Sequence, residues 1–463
     1  MQSATILTPA VHAGDATGQH TIDLVRALQH RQTQVEIVCD SVLGALPIDL
    51  QPLLRPGSYH DYVPAADLTI LQYPIWFALA ERFRRARGAT IFWYHGVTPP
   101  ALWSSAADIQ LLQMSERNSE LAWHADLAVC DSPFTVEELH RHAGYPRQRL
   151  RVVPFGVDTR HLSQASPPET LAQLRSQWQL THKRVLLYVG RVVGNKRVDL
   201  LIDALACLAD QYPDLVLLIV GDNHSSAAMQ ELMPQLAQQT ERLNLTNRVI
   251  FTGKVGDLAP YYHMADLFVH ASQHEGFCVP LIEAMAARLP VIASASGAMP
   301  WVLNAHEKQQ DSVGLTFTPG DAHALAQQIE RLLTDSTLRH TLQERGAQRV
   351  VEFDQEHFVR RVADVVTEAF ALMPEKLLQS RHDDLYPPAD VALRTYRVRS
   401  NLPVLGRLIE RVRTNSTSHL KEAYLDRIIE RQVGYNRLLA DEVNRLHTTV
   451  ARLSAQLDQL RER

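Results

Sequence analysis

Two carboxylates, Glu275 and Glu283, stand eight positions apart in the stretch HASQHEGFCVPLIEAMAARLPVIASAS, which runs from His270 to Ser296. Gly276, Phe277 and Cys278 follow the first of them, and Pro280 opens a helical pattern. Proline is tolerated in a first helical turn because the N–H it lacks would have no partner there. The helix therefore begins with free backbone N–H groups and a positive dipole end, just where the loop turns. A phosphate is the natural guest of such a terminus. A carboxylate beside a phosphate site does not bind the phosphate; it suits hydroxyls, as on a ribose or a sugar. The segment reads as a nucleotide-sugar pocket, against the plain alternative of a βαβ unit with two surface glutamates.

A second constellation lies in YVGRVVGNKRVDLLI, where Gly190 and Arg191 end a strand and Lys196 starts the next helix. Two cations on a glycine-containing turn at a strand's carboxyl end suit a diphosphate. Arginine offers a planar fork and lysine a mobile point charge, and together they can follow charge as it moves. Taken alone, the same pair could be two solvated residues on a turn. FWYHGVTPP places His95 directly after an apolar strand, at the end where ligands gather in such sheets. A lone histidine is often structural, but this position favours a cleft role.

These residues need strands and helices to carry them. SATILTP, VEIVCD, LTILQYP, ATIFWYH, LAVCDS and RVVPFG alternate with helical stretches such as TIDLVRALQH and PFTVEELHRHAG. That alternation predicts a parallel sheet covered by helices on both faces. Residues 160–182 lack strand character and read as an interdomain linker. A second array follows, RVLLYVGRV, LVLLIVGD, RVIFTGKV, LFVHAS and PVIASAS, with helices such as VDLLIDALACLADQY between. The fold expected is α/β, two Rossmann-like domains facing across a cleft with a C-terminal helical tail. The boundaries read as 1–165, 166–372 and 373–463. In the first turn, HAGDATGQH, Gly14 and Gly18 precede a helix; Ser132 and Asp158 follow strands, where N-cap and turn chemistry explains them equally well.

EGFCVPLIEAMA resembles the E-x7-E signature of the retaining glycosyltransferases of family 4, also called group 1, which have the GT-B architecture. The arginine–lysine motif preceding it resembles that family's diphosphate clamp, and the two motifs in this order are far more specific than either alone. The resemblance covers about residues 1–372 and is specific mainly between 188 and 297. It implies a donor site in the second domain and acceptor recognition in the first. Arg191 and Lys196 would stabilise the departing diphosphate, Glu275 would contact the donor sugar, Glu283 the ribose, and His95 the sugar or acceptor. Gly190, Gly276, Phe277 and Cys278 would border the donor, and the loops at Gly221 and Val255 would line its base and ribose. The first-turn loop at Gly14 would face the cleft; where the family usually has a Gly-Gly pair, this chain has Gly14-Asp15. The departing phosphate would take the acceptor's proton on the same face, so neither a protein nucleophile nor a cofactor is implied. No Asp-x-Asp stands where a donor metal would be expected. A sugar-nucleotide epimerase would need acid/base groups on both sides of the sugar, and a glycogen-type phosphorylase a pyridoxal lysine; neither set is found. The alternative from another class is a silent scaffold that recruits partners through its tail.

At 463 residues the chain is too long for one core. Its hydrophobic content of 46% and charged content of 21% are those of a globular protein, and a net charge of −5 gives no sign of a nucleic-acid binder. Cys39, Cys130, Cys207 and Cys278 have no metal-type spacing and read as reduced core residues of a cytoplasmic protein. The first residues lack a signal peptide's basic and apolar regions, and no run reaches the roughly 18 apolar residues a membrane span needs. In the tail, residues 394–413 carry six arginines among Leu, Val and Ile. Such a segment sits peripherally on an anionic membrane or packs on its own enzyme domain, and both readings stay open. Leu439, Leu446, Leu453 and Leu460 mark d positions of a heptad that extends back to Leu425, with Asn436 at an a position. That pattern predicts a parallel coiled coil over 425–460 and a homodimer.

Overall fold

The computed structural model describes residues 2–12, 15–43, 46–56, 62–305, 311–373 and 449–450. Two parallel sheets are present, as the alternation predicts. The first contains β1 (Ser3–His12), β2 (Gln34–Leu43), β3 (Leu54–Pro56), β4 (Leu68–Tyr73), β5 (Ala89–Tyr94), β6 (Leu127–Cys130) and β7 (Leu150–Val152), in the order β3-β2-β1-β4-β5-β6-β7. The second contains β8 (Arg184–Val189), β9 (Leu215–Val220), β10 (Val249–Gly253), β11 (Leu267–His270), β12 (Val291–Ser294) and β13 (Leu315–Phe317), in the order β10-β9-β8-β11-β12-β13. In both orders the chain starts in the middle, winds to one edge and returns to wind to the other. The loops beside that reversal diverge and leave a crevice at the carboxyl ends of the strands.

The sequence pattern explains the layering. Along β8, Val185, Leu187 and Val189 enter one apolar cluster while Leu186 and Tyr188 enter the cluster on the opposite face. Both faces are covered by helices, so the strand reads as a continuous apolar run. β3 and β13, three residues each, have no counterpart among the strands that the sequence predicts.

Residues 160–182, expected as a linker, contain the helices Arg160–Ser163 and Pro168–Gln177. Leu162 and Leu180 are buried in the second domain's core. The helix Gln355–Leu372 packs back on the first domain. Phe358, Val362, Val365, Val366 and Ala369 form one helical stripe buried with Ile22, Val25 and Trp93 of the first domain. Of the four cysteines expected in cores, Cys39, Cys130 and Cys278 are buried, but Cys207 is exposed. It occupies an outer position of the helix Val198–Leu208, where its Sγ lies 3.5 Å from His323 Nδ1.

Among the described residues, no helix is long and apolar enough to cross a membrane. The basic segment 394–413 lies outside the described residues, as does the heptad 425–460 apart from Thr449 and Val450.

Candidate functional site

β8 and β11 are adjacent and parallel, so the loops at their carboxyl ends meet. The β8 loop carries Gly190, Arg191 and a short 3-10 turn, Gly194–Lys196. The β11 loop carries Glu275. The Lys196 ammonium donates to the Glu275 carboxylate, and the two side chains are 17% and 12% exposed. The backbone ties the loops together as well: Gln273 N donates to Asn195 O at 2.8 Å and Ser272 Oγ to the same oxygen at 3.2 Å. His270 Nε2 lies 3.7 Å behind Glu275. Burial pushes the Glu275 carboxyl up, but Lys196, His270 and hydrogen bonds outweigh it and hold it below the usual range. His270 is pushed down to about 4, chiefly by burial, so the ring is neutral at pH 7.

The helix after this loop is Val279–Ala286, with Pro280 in its first turn. Its N-cap is Cys278 at φ 81°, a left-handed conformation uncommon for a residue with a side chain. Glu283 lies one turn in and accepts from the Tyr262 hydroxyl at 2.7 Å. Burial raises the Glu283 carboxyl; the Tyr262 hydrogen bond and His161 offset only part of that. The Phe277 ring is buried, packed against Phe155, Trp301 and Phe353. Phe277 and Cys278 are 3% and 5% exposed, so they can border a donor only through their backbone.

Gly190 and Gly221 end β8 and β9, and Val220 O accepts from Gly190 N at 2.9 Å. A Cβ on Gly221 would stand 2.0 Å from Gly190 O, so only glycine lets these two strand ends approach. Arg191 is exposed, and its guanidinium makes no hydrogen bond or ion pair among the described residues. Val255 is half-buried against the second domain's core. Gly14 lies outside the described residues; next to it, Asp15 caps the helix Ala16–His30 by accepting from Gly18 N at 2.7 Å.

Across the cleft, His95 follows β5. Its Nδ1 donates to Asp131 Oδ2 at 2.9 Å, and Trp93 Nε1 donates to the other Asp131 oxygen at 3.1 Å. A neutral His95 ring so held keeps its lone pair on Nε2, and that atom has no hydrogen-bond partner among the described residues. His20 stands edge-on to His95, centroids 4.9 Å apart. Burial, then the neighbouring His95, holds His20 well below its ordinary pKa, so it adds no charge.

The two domains touch at this site. A Cβ on Gly276 would lie 2.3 Å from His95 O. Ser132 caps the helix Pro133–Ala143, as its sequence context predicts, and its Oγ also donates to Gly276 O at 2.7 Å. His274 Nε2 lies 2.8 Å from Glu138 Oε1 on that helix. Asp158, in contrast, pairs with its neighbour Arg160, and that bond holds its carboxyl down at about 2.

Sequence reasoning missed Asp131, Tyr262, Glu138 and His274. Asp131 carried a readable signal, an acid directly after the strand LAVC; the other three acquire partners only through folding. Among the described residues, His270, Glu275 and Cys278 also bring one donor atom each within 4.8 Å of the others. They suit a dication poorly. Lys196 already holds the Glu275 oxygen nearest His270, and burial, then Glu275, pushes the Cys278 thiol well up, whereas metal ligation needs a thiolate.

The site can be set beside known proteins. Residues 172–349 match the family model described as glycosyl transferases group 1, and residues 17–161 match the one described as glycosyltransferase family 4. Mannosylfructose-phosphate synthase of Agrobacterium fabrum is 32% identical over 177 residues, which are 38% of each chain. Over the curated relatives matched, the chain spans between 38% and 53% of the relative's length. HepE of Anabaena, solved with UDP and glucose, superposes with a TM-score of 0.64 at 22% identity, covering 79% of this chain and 100% of that one. Sucrose-phosphate synthase of Thermosynechococcus elongatus superposes with a TM-score of 0.65 at 22% identity, over 80% and 100%. At these identities the superpositions show the shared two-domain fold.

Proposed function

The chain belongs to the group 1 glycosyltransferases, and from that premise we propose that it moves a hexosyl group from a nucleoside-diphosphate donor to an acceptor hydroxyl with retention at the anomeric carbon. The observation that carries this reading is the meeting of Lys196 with Glu275 beside Arg191, at the carboxyl ends of two adjacent strands.

A nucleoside diphosphate laid over the β8 and β11 loops meets Arg191, Lys196 and the N-terminus of the helix Val279–Ala286. Preorganised charge of this kind stabilises the negative charge that develops on the leaving group, usually the largest catalytic contribution. Glu275 accepts hydrogen bonds from the donor sugar's hydroxyls and Glu283 from the ribose. Gly190, Gly276 and the backbone at Phe277 and Cys278 let the diphosphate approach closely, while the loops at Gly221 and Val255 border the nucleoside. His95, oriented by Asp131, offers the Nε2 lone pair to a hydroxyl of the sugar. In the transfer step the bond from anomeric carbon to phosphate oxygen breaks and a bond to the acceptor oxygen forms on the same face. The acceptor's proton passes to the departing phosphate. The step needs no protein nucleophile, no cofactor and no metal.

The first domain is the acceptor side. The acceptor class that fits the rest of the chain is a glycan or a lipid-linked sugar, with the arginines of 394–413 contacting an anionic membrane surface and 425–460 pairing two copies. The test is thermal shift against UDP-, GDP-, ADP- and TDP-sugars, since a ligand of the folded state raises its melting temperature. A shift with one nucleotide, lost in Arg191→Ala and Glu283→Ala, supports the donor site. The anomeric configuration of the product by NMR then decides retention. No shift with any donor at millimolar concentration overturns the reading.

A further inference from the structure

Glu275 is bracketed. The residue before it, His274, is held by Glu138, and the residue after it, Gly276, accepts from Ser132. Both partners belong to the first domain, whereas Glu275 belongs to the second. Ser132, Thr135 and Glu138 are spaced three apart and so lie on one face of their helix. All three are buried, and Thr135 Cγ2 lies 3.4 Å from where a Cβ on Gly276 would stand. One helix face of the first domain therefore lies along the loop that presents Glu275.

The second domain holds this loop separately: Ala298 N donates to Glu275 O, and Gln273 N to Asn195 O. The first domain adds the hold at 274 and 276. Glu138 is 3% exposed, and its second oxygen, Oε2, is buried without a hydrogen-bond partner among the described residues. A buried carboxylate is costly unless hydrogen-bonded. His274 supplies that bond, and parting the domains would remove it.

We infer that Glu138 and Ser132 are positioning residues: by gripping His274 and Gly276 when the domains meet, they set the Glu275 carboxylate against Lys196 and the donor sugar. This role rests on the glycosyl-transfer reading above. It places the first domain in the chemistry of the donor, beyond recognition of the acceptor. Ser132 also caps its helix, so Glu138 and His274 give the cleaner test.

The experiment uses the full-length chain, with donor Kd measured by calorimetric titration and kcat at saturating donor and acceptor. Glu138→Ala is expected to lower kcat by about 10- to 100-fold, the scale on which a misplaced catalytic group slows a reaction, with donor Kd within about threefold of wild type. Glu138→Gln keeps an oxygen for His274 Nε2–H and is expected to recover most of kcat. His274→Ala should reproduce the loss, and the double variant should be no slower than either single one, because both remove the same contact. Unchanged kcat in Glu138→Ala, or equal losses in kcat and donor affinity, overturns the positioning role. So does a Gln variant as slow as the Ala variant. A wild-type protein that transfers sugar from no nucleotide donor overturns the functional reading, and the positioning role with it.

Discussion

Lys196 and Glu275 are 79 positions apart in sequence, yet their side chains form an ion pair at the carboxyl ends of two neighbouring strands. Both are mostly buried, so each charge depends on the other. Removing one partner of a buried pair costs about 3 to 5 kcal/mol, because the remaining charge is left uncompensated. Lys196→Met is therefore expected to be less stable in urea than Lys196→Met/Glu275→Gln. Both variants should lose roughly 10²- to 10³-fold in kcat, since either lacks the cation facing the leaving diphosphate.

Asp131 orients His95 through Nδ1, and Trp93 steadies Asp131. Asp131→Asn replaces an oxygen that can only accept with an amide that can also donate. The His95 ring can then adopt the other tautomer, with its proton on Nε2. A fall of about 10- to 100-fold in kcat/KM, with a melting temperature near wild type, is expected on the scale of general positioning effects. Steady-state kinetics beside calorimetry would check it.

The Tyr262 hydroxyl holds down a Glu283 carboxyl that burial pushes up. An ionised carboxylate accepts more strongly from a ribose hydroxyl than a protonated one. Donor affinity should thus weaken as pH falls through the Glu283 pKa. In Tyr262→Phe that pKa rises further, so the weakening should begin at a higher pH. Titrating the donor from neutral pH downward in wild type and Tyr262→Phe would show it, and superimposable curves would refute the assigned role of Tyr262.

Asp23 stands on the first helix beside Gln355 at the start of the last one, and burial raises its carboxyl from 3.8 to about 6. A folded-state pKa above the unfolded value means the native state binds the extra proton between those two values. Stability from this group therefore falls as pH rises from about 4 to about 6, and the deficit persists above. Asp23→Asn should be more stable than wild type at pH 8, with the difference shrinking as pH falls toward 4. Thermal denaturation of both proteins across that range would measure it.

Gly221 permits the close approach of β9 to Gly190. Gly221→Ala combines a φ of 146° with a Cβ placed 2.0 Å from a backbone oxygen, so the strand ends must part. A loss of at least about 1–3 kcal/mol is expected for a residue forced into so unfavourable a conformation. A parallel loss of nucleotide binding should accompany it.

Local rules settled much of this protein without its structure. Apolar runs of strand length, alternating with helical periods, determine two parallel sheets, because that pattern can bury its faces only in layered α/β form. Pro280 and Ser132 announce their helices through backbone chemistry confined to a few residues. The pairing of a basic turn with the E-x7-E segment resembles the family's donor site, and of its residues the structure brings Lys196 and Glu275 into contact. Tertiary structure decided what depends on neighbours distant in the chain. It turned Phe277 into the core through Phe155 and Phe353, and it exposed Cys207. It paired Glu138 with His274 across the domain boundary, 136 positions apart. A side chain's period shows which face of its own element it occupies. What faces it is set by strand order and by the meeting of the two domains, which no local spacing encodes.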